Sequence, residues 1–340
     1  MLENATPMRG ELADDAYALR LANACVALLA LSFGLIVLGA LVRANNAGLA
    51  CPDWPLCFGE VIPHMNLEVA FEWTHRGVAG SLAVGFAALS VLALRRPATR
   101  AAAGRLLGAG AALLALQVLL GALTVWQLLA AWTVTAHLIV GNSFALVLLW
   151  TALALRDQAR PGLPRAAAPP AAQRLLALVA LLLFAQMLLG GLVASRYAGL
   201  ACPDFPTCRD GLWIPTTEGA VGLQLLHRAG AVALLAGLAA AAFAARRAAP
   251  RLRRATTLAL WLGALQLCVG AANVLLGLPA ELTGLHSALA AALVLTLSVA
   301  LRDSWQGGRL GSRPTRSEHA SPEGAQRGEA ERRRAPAKQA

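Results

Sequence analysis

The sequence predicts an all-α integral membrane protein whose eight transmembrane helices form two tandem, pseudo-symmetric four-helix bundles. Three observations support this prediction. The chain of 340 residues is 58% hydrophobic and only 14% charged. Several apolar runs exceed the ~18 residues that a membrane-spanning helix requires. One cysteine-containing segment also occurs twice, as GLACPDWPLC at residues 48–57 and as GLACPDFPTC at residues 199–208.

The apolar runs are expected to be helices, because a helix satisfies its backbone N–H and C=O groups within one segment where no water is available. The first run is long enough to span and lacks a small-residue cleavage site, so we predict a retained helix and not a signal peptide. The predicted helices cover residues 19–42, 71–94, 105–128, 132–155, 174–195, 221–245, 256–277 and 282–301.

The similarity between the halves extends beyond the cysteine loops. LGALVRANNAGLACPDWPLC aligns with LGGLVASRYAGLACPDFPTC, and ALQVLLGALTV resembles ALQLCVGAANV. Each half has an even number of helices, so the two copies are predicted to be parallel repeats. The predicted divisions are an N-terminal segment (1–18), a first bundle (19–155), a Pro/Ala/Arg linker (156–174), a second bundle (175–301) and a disordered tail (302–340).

Arginines are concentrated between helices two and three, four and five, and six and seven. The positive-inside rule therefore predicts cytoplasmic N- and C-termini in a bacterial inner membrane, with both cysteine loops outside. The net charge of +11 is explained by this topology. Because the arginines are spread over several loops on one membrane face, the bilayer is the predicted partner and a nucleic acid is not.

Each cysteine loop carries two cysteines six residues apart, Cys51 and Cys57 in the first and Cys202 and Cys208 in the second. An oxidising compartment favours two local disulfides, Cys51–Cys57 and Cys202–Cys208. A redox role for one pair is the alternative. Zinc binding is disfavoured, because neither loop supplies four nearby ligands.

Four histidines fall on the even-numbered helices at a similar depth, namely His75, His137, His227 and His286. Ionisable groups inside a membrane are costly and usually functional. Haem iron takes two axial nitrogens from opposite sides, and a four-helix bundle can enclose the macrocycle. The alternative is a helix-to-helix hydrogen bond from each ring. A dinuclear metal site is disfavoured, because the helices offer too few carboxylates.

The two halves differ beside the first histidine of each. Glu72 precedes His75 by three residues and shares its helical face, whereas Gln224 stands at the corresponding place before His227. This difference predicts proton-moving chemistry in the first half and electron transfer in the second. The alternative is that Glu72 faces water at the membrane interface.

Two further pairs occupy matching positions. Arg76 and Arg228 directly follow a histidine, and they could bind haem propionates or extend to the outer interface. Gln117 and Gln266 lie on helices three and seven, where they could form hydrogen bonds across helices.

The motifs ACPDWPLC, EWTHR and TAHLIVG, followed by ACPDFPTC, LLHR and GLHSALA, resemble the haem A synthase family in its bacterial form with two cysteine loops. The resemblance covers residues 19–301. It implies oxidation of the C8 methyl group of haem O to a formyl group, which yields haem A for terminal oxidases. It also implies haem O synthase and oxidase assembly factors as partners.

The resemblance implies a role for each site residue. Glu72, His75 and His137 correspond to the catalytic acid and the substrate-haem histidines, and His227 and His286 to the ligands of a haem B cofactor. Of the disulfides, Cys51–Cys57 corresponds to a pair suggested to assist catalysis or electron transfer, and Cys202–Cys208 to a more structural pair. Two competing functions remain open at this point, a di-haem electron-transfer cytochrome and a transporter or disulfide-exchange protein.

Overall fold

The computed structural model describes residues 5–160 and 168–306, and within those ranges all regular structure is helical. This confirms the predicted all-α fold with eight helices. Each helix is long and apolar enough to cross a membrane. The helices are α1 Ala5–Ala44, α2 Leu67–Arg95, α3 Pro97–Trp126, α4 Ala131–Ala159, α5 Pro170–Ser195, α6 Gly219–Ala244, α7 Pro250–Leu275 and α8 Ala280–Gln306.

The helices are longer than their apolar runs, mainly at the N-terminal ends of α1, α3 and α7. The prediction that helix one begins at residue 19 is wrong, since α1 begins at Ala5, and α3 and α7 begin at Pro97 and Pro250. Hydropathy marks only the part of a helix that lies in hydrocarbon. Alanine, leucine and arginine are strong helix formers and continue the helix beyond it, and proline is well suited to the first helical position.

The linker predicted over 156–174 is correspondingly shorter, because α4 continues to Ala159 and α5 begins at Pro170. Its residues 161–167, and residues 307–340 of the predicted disordered tail, lie outside the described part of the chain. The first residues of that tail are still helical, since α8 extends to Gln306.

Within each half the four helices contact one another in a closed ring. In the first half α1 packs on α2 and α4, and α3 packs on α2 and α4; α5 to α8 repeat this pattern. Separate apolar cores fill the halves, one around Phe86, Phe144 and Leu148 and one around Leu176 and Leu238. We interpret this arrangement as two four-helix bundles, which meet through α1 with α8 and through α4 with α5 and α8.

Because neighbouring helices run in opposite directions, the loops 45–66 and 196–218 lie at one end of the molecule, here called the disulfide end. All four helix-borne histidines lie close to that end. His75 and His227 are the ninth residues of α2 and α6, and His137 and His286 are the seventh residues of α4 and α8. At 1.5 Å per residue they lie about 9–12 Å beyond the starts of their helices.

Candidate haem sites

Each of the four histidine rings stands against a glycine of the odd-numbered helix that precedes it. A Cβ atom added to Gly39 would lie 3.1 Å from Cε1 of His75, and the corresponding distance from Gly121 to His137 is 3.4 Å. In the second half the distances are 3.2 Å from Gly190 to His227 and 3.0 Å from Gly270 to His286. The absence of a side chain at these glycines therefore makes room for the imidazoles.

All four glycines lie five residues before the end of their helix. The molecule is thus built from four helix pairs, each with a glycine on its first helix and a histidine on its second. Sequence reasoning found the two-fold repeat but missed this finer one. The signal was present, because three of the glycines are preceded by glutamine four residues earlier, at Gln117, Gln186 and Gln266.

These glutamines lie one helical turn from the glycine, on the same face, and two of them contact a histidine. Gln117 Nε2 lies 3.2 Å from His137 Nε2, which confirms the expected bond between helices at this position. Gln186 Nε2 lies 3.0 Å from His227 Nδ1 and also donates to the backbone carbonyl of His227. The sequence analysis did not single out Gln186. The position equivalent to Gln186 in the first half is Leu35.

The histidines form one pair in each half. His75 and His137 come from alternate helices of the first ring, α2 and α4, and His227 and His286 come from α6 and α8 of the second. The buried Nδ1 atoms of His75, His137 and His286 have no hydrogen-bond partner among the described residues. Two imidazoles on alternate helices of one four-helix bundle, at a similar depth, are compatible with the axial ligation of haem iron. The alternative of a bond to a neighbouring helix describes His137 and His227, which contact Gln117 and Gln186, but among the described residues His75 and His286 make no such bond.

Glu72 and Arg76 form an ion pair on α2, with Arg76 Nε 2.8 Å from Glu72 Oε1. The Glu72 side chain is 10% exposed and that of Arg76 is 15% exposed. The carboxylate is therefore largely removed from water, and the expectation that Glu72 simply faces the aqueous interface does not describe its surroundings. The rest of the Arg76 guanidinium reaches into the first disulfide loop, where it donates to the backbone carbonyls of Asp53 and Leu56.

The second half repeats the arginine contact without the ion pair. Arg228 donates to the carbonyls of Cys202 and Thr207, at 2.6 and 2.9 Å. Gln224 is buried and donates to the carbonyl of Gly199 at 3.2 Å. Both arginines thus bind the cysteine loops. The sequence predicted haem propionates or the outer interface as their partners, and the loop carbonyls could not be read from it.

Both cysteine loops contain the predicted disulfides, Cys51–Cys57 and Cys202–Cys208. In the first loop the Asp53 carboxylate accepts hydrogen bonds from the backbone N–H groups of Gly59 and Phe58, at 2.7 and 2.6 Å. These amides, that of Gly59 foremost, lower the pKa of Asp53 below its ordinary value. Phe58 and Gly59 both have positive φ, as a tight two-residue hairpin turn requires.

A family model described as cytochrome oxidase assembly protein, COX15-CtaA, matches residues 22–70 and 66–298. The chain belongs to this family. A haem A synthase of Shewanella oneidensis is 32% identical over 77% of this chain and 90% of its own length. Haem A synthases of Rhizorhabdus wittichii (28% identical; 82% and 92% covered) and Halalkalibacterium halodurans (33% identical; 60% and 70% covered) are also similar. Membership of the COX15-CtaA family, together with eight spanning helices, makes this chain a multi-pass membrane protein.

Proposed function

We propose that this member of the COX15-CtaA family is a haem A synthase, which oxidises the C8 methyl group of haem O to a formyl group and so makes haem A for terminal oxidases. The haem A synthases similar to this chain support the reaction. The observation that carries the assignment is the difference between the halves. Two similar histidine pairs each fit a haem, but only the first pair has a buried carboxylate, Glu72, on the adjoining helical turn.

In this proposal His75 and His137 bind the substrate haem O in the first half. Gln117 contacts Nε2 of His137, so substrate binding through that nitrogen replaces a protein hydrogen bond that can re-form when product leaves. Such an exchange suits a haem that must enter and depart. The apolar farnesyl chain of haem O favours entry from the lipid, between helices.

His227 and His286 would bind a resident haem B, which supplies one-electron transfer when bound. Here Gln186 contacts the ring nitrogen Nδ1 of His227, and no glutamine occupies the equivalent position in the first half, where Leu35 stands. The same amide donates to the backbone carbonyl of His227, so Gln186 fixes the position and orientation of this histidine. This support suits a cofactor that stays in place.

The conversion of a methyl to a formyl group consumes one water and releases four protons and four electrons. We infer that the intermediates are an alcohol and then a gem-diol, which loses water to give the aldehyde. Glu72 would take up protons beside the substrate, with Arg76 fixing the direction of its carboxylate. The electrons would pass through the second half to an acceptor.

We further infer that the disulfide end faces the periplasm and that both termini are cytoplasmic in a bacterial inner membrane. The arginine-rich connections between α2 and α3, α4 and α5, and α6 and α7 support this orientation. Haem O synthase and oxidase assembly factors are the proposed partners, because haem O must be delivered and haem A removed.

The test replaces Glu72 by glutamine, which matches the residue at position 224. Cells that make haem O and express the wild-type chain should yield haem A on pigment extraction. E72Q should retain bound haem and fail to form the aldehyde, because the proton acceptor is lost. Normal haem A yield from E72Q would refute the role of Glu72. A wild-type chain that returns only the haem it received would instead favour the di-haem electron-transfer cytochrome.

A further inference from the structure

We propose that the first disulfide loop acts on the reaction through Arg76, so that Cys51–Cys57 sets the position of the Glu72 carboxylate without any thiol chemistry. This inference rests on the proposed function, since it assigns Arg76 as a positioning residue for the proton acceptor of that reaction. The matching loop in the second half has no such connection, because glutamine replaces glutamate there.

Arg76 connects the loop to the acid through four of its N–H donors. Nε donates to Glu72 Oε1 at 2.8 Å. Nη1 donates to the carbonyls of Asp53 and Leu56 at 2.7 and 2.6 Å, and Nη2 donates to the carbonyl of Cys51 at 3.2 Å. A guanidinium is planar and has five N–H donors in fixed directions. The plane of this group, and the Nε–H bond to Glu72, are therefore set by where the loop carbonyls lie.

The loop itself is held in one shape by two independent constraints. The disulfide closes residues 51–57, and the Asp53 carboxylate binds the two amides of the turn that follows. All three carbonyls that Arg76 contacts belong to the segment closed by the disulfide. Opening the disulfide would release that segment, so the carbonyls would no longer fix the guanidinium.

The second half provides a comparison within the same molecule. Arg228 makes two of the equivalent loop contacts, to the carbonyls of Cys202 and Thr207. Gln224 binds the carbonyl of Gly199, and its own side-chain oxygen has no partner among the described residues. The arginine therefore stabilises the loop in both halves, but it also orients an acid only in the first.

The coupling between the first disulfide loop and Glu72 must act in both directions, because it is a difference in free energy between linked states. If the loop positions Glu72, then Glu72 also stabilises the loop. Removing the charge of Glu72 should let Arg76 move and should expose the first disulfide to attack from outside. This consequence can be measured without turnover.

The first experiment measures disulfide reduction in purified wild-type protein and in E72Q. A water-soluble phosphine cleaves the S–S bond with one water, giving two thiols and the phosphine oxide. E72Q should accelerate reduction of Cys51–Cys57 by roughly fivefold or more. Reduction of Cys202–Cys208 in the same molecules, the internal control, should be unchanged. Equal rates for Cys51–Cys57 in the two proteins would overturn the proposal.

The second experiment compares kcat and KM for haem O in Cys51→Ser/Cys57→Ser, in Arg76→Lys and in the combined variant. Misplacing the acid should lower kcat by about 100-fold with little change in KM. The combined variant should be no slower than either alone, because both changes act through one contact. Independent, multiplying losses would overturn the proposal. Cys202→Ser/Cys208→Ser should keep the wild-type kcat.

If the cysteine variants do not fold, the wild-type protein is reduced at Cys51–Cys57, assayed, reoxidised and assayed again. Loss and recovery of kcat are expected, and an unchanged kcat in the reduced protein would contradict the inference. Failure of the proposed function is a separate result. It appears as no haem A from the wild-type chain, while the reduction rates still test the link between loop, arginine and acid.

Discussion

At the scale of single residues, the two halves share the histidines, arginines and cysteines of the candidate sites and differ in two nearby side chains. Glu72 corresponds to Gln224, and Leu35 corresponds to Gln186. The first difference gives one half an acid, and the second gives the other half a partner for a histidine nitrogen. In the proposed function, these two differences distinguish the substrate site from the cofactor site.

Gln186 is predicted to strengthen haem B ligation in the second half. Its amide contacts His227 Nδ1 at 3.0 Å, and loss of such a partner typically weakens a metal site by about tenfold or more. Gln186→Leu, which copies position 35, should therefore release haem B more readily, because His227 loses the amide that orients it. Haem retention on dilution provides the measurement.

Gln266→Leu is the matched control for that experiment. Gln266 occupies the equivalent place on α7, but among the described residues its side chain makes no hydrogen bond to a histidine, unlike that of Gln186. Gln266→Leu is expected to increase the release of haem B less than Gln186→Leu does. Equal effects of the two substitutions would show that the amide of Gln186 has no particular role at His227.

The sequence predicted those of these residues that can be recognised from their spacing along the chain. Four histidines on alternate helices and an acid one turn before His75 could be read directly from their spacing. The contacts of Arg76 and Arg228 could not be read, because they depend on how far each loop folds back over its helix. Gln186 was overlooked, although the spacing to Gly190 is the same as that from Gln117 to Gly121.

At the scale of helices, the repeating unit is a pair in which a glycine accommodates a histidine. The glycine lies near the end of one helix and the histidine near the start of the next, so both approach the disulfide end. Added Cβ atoms at these glycines would lie 3.0–3.4 Å from the ring carbon Cε1. A ring would have to shift by a few tenths of an ångström to accept an alanine.

Gly39→Ala is predicted to disturb haem O binding through His75. Overpacking of this kind typically costs about 1–3 kcal/mol, and the displaced ring should weaken the absorption change on addition of haem O. Gly34→Ala, on the same helix, is the control, since nothing lies within 4 Å of its added Cβ. It should leave haem O binding unchanged and stabilise the helix by roughly 0.5–1 kcal/mol.

Identical haem O titrations for Gly39→Ala and the wild-type protein would contradict the packing argument.

Helix ends were the least predictable feature at this scale. The apolar runs identified every helix but placed the starts of α1, α3 and α7 too late, because polar residues at these ends continue the helix beyond the hydrophobic run.

At the scale of the whole molecule, the bundles are joined along α1, α4, α5 and α8. At the disulfide end Arg43 donates to the carbonyl of Ala194, and Thr135 contacts Ser195 at 3.3 Å. At the opposite end Arg302 and Asp157 form an ion pair at 2.7 Å. These contacts join the two halves at both ends and so hold the two candidate haem sites at a fixed separation.

The proposed orientation predicts which surface positions are accessible from outside the cell membrane. A cysteine at exposed His64, in the first disulfide loop, should react with a membrane-impermeant maleimide in intact spheroplasts. A cysteine at exposed Arg95, at the end of α2, should react only after lysis. The reverse pattern would place the termini outside and would contradict the topology derived from the arginines.

The central claim is that each half binds one haem between its two histidines and that the second half holds the resident cofactor. The most direct test measures the haem B content per chain of purified His286→Ala and His137→Ala proteins. The account predicts that His286→Ala loses haem B while His137→Ala retains it. Haem B retained in both variants, or lost only from His137→Ala, would contradict it.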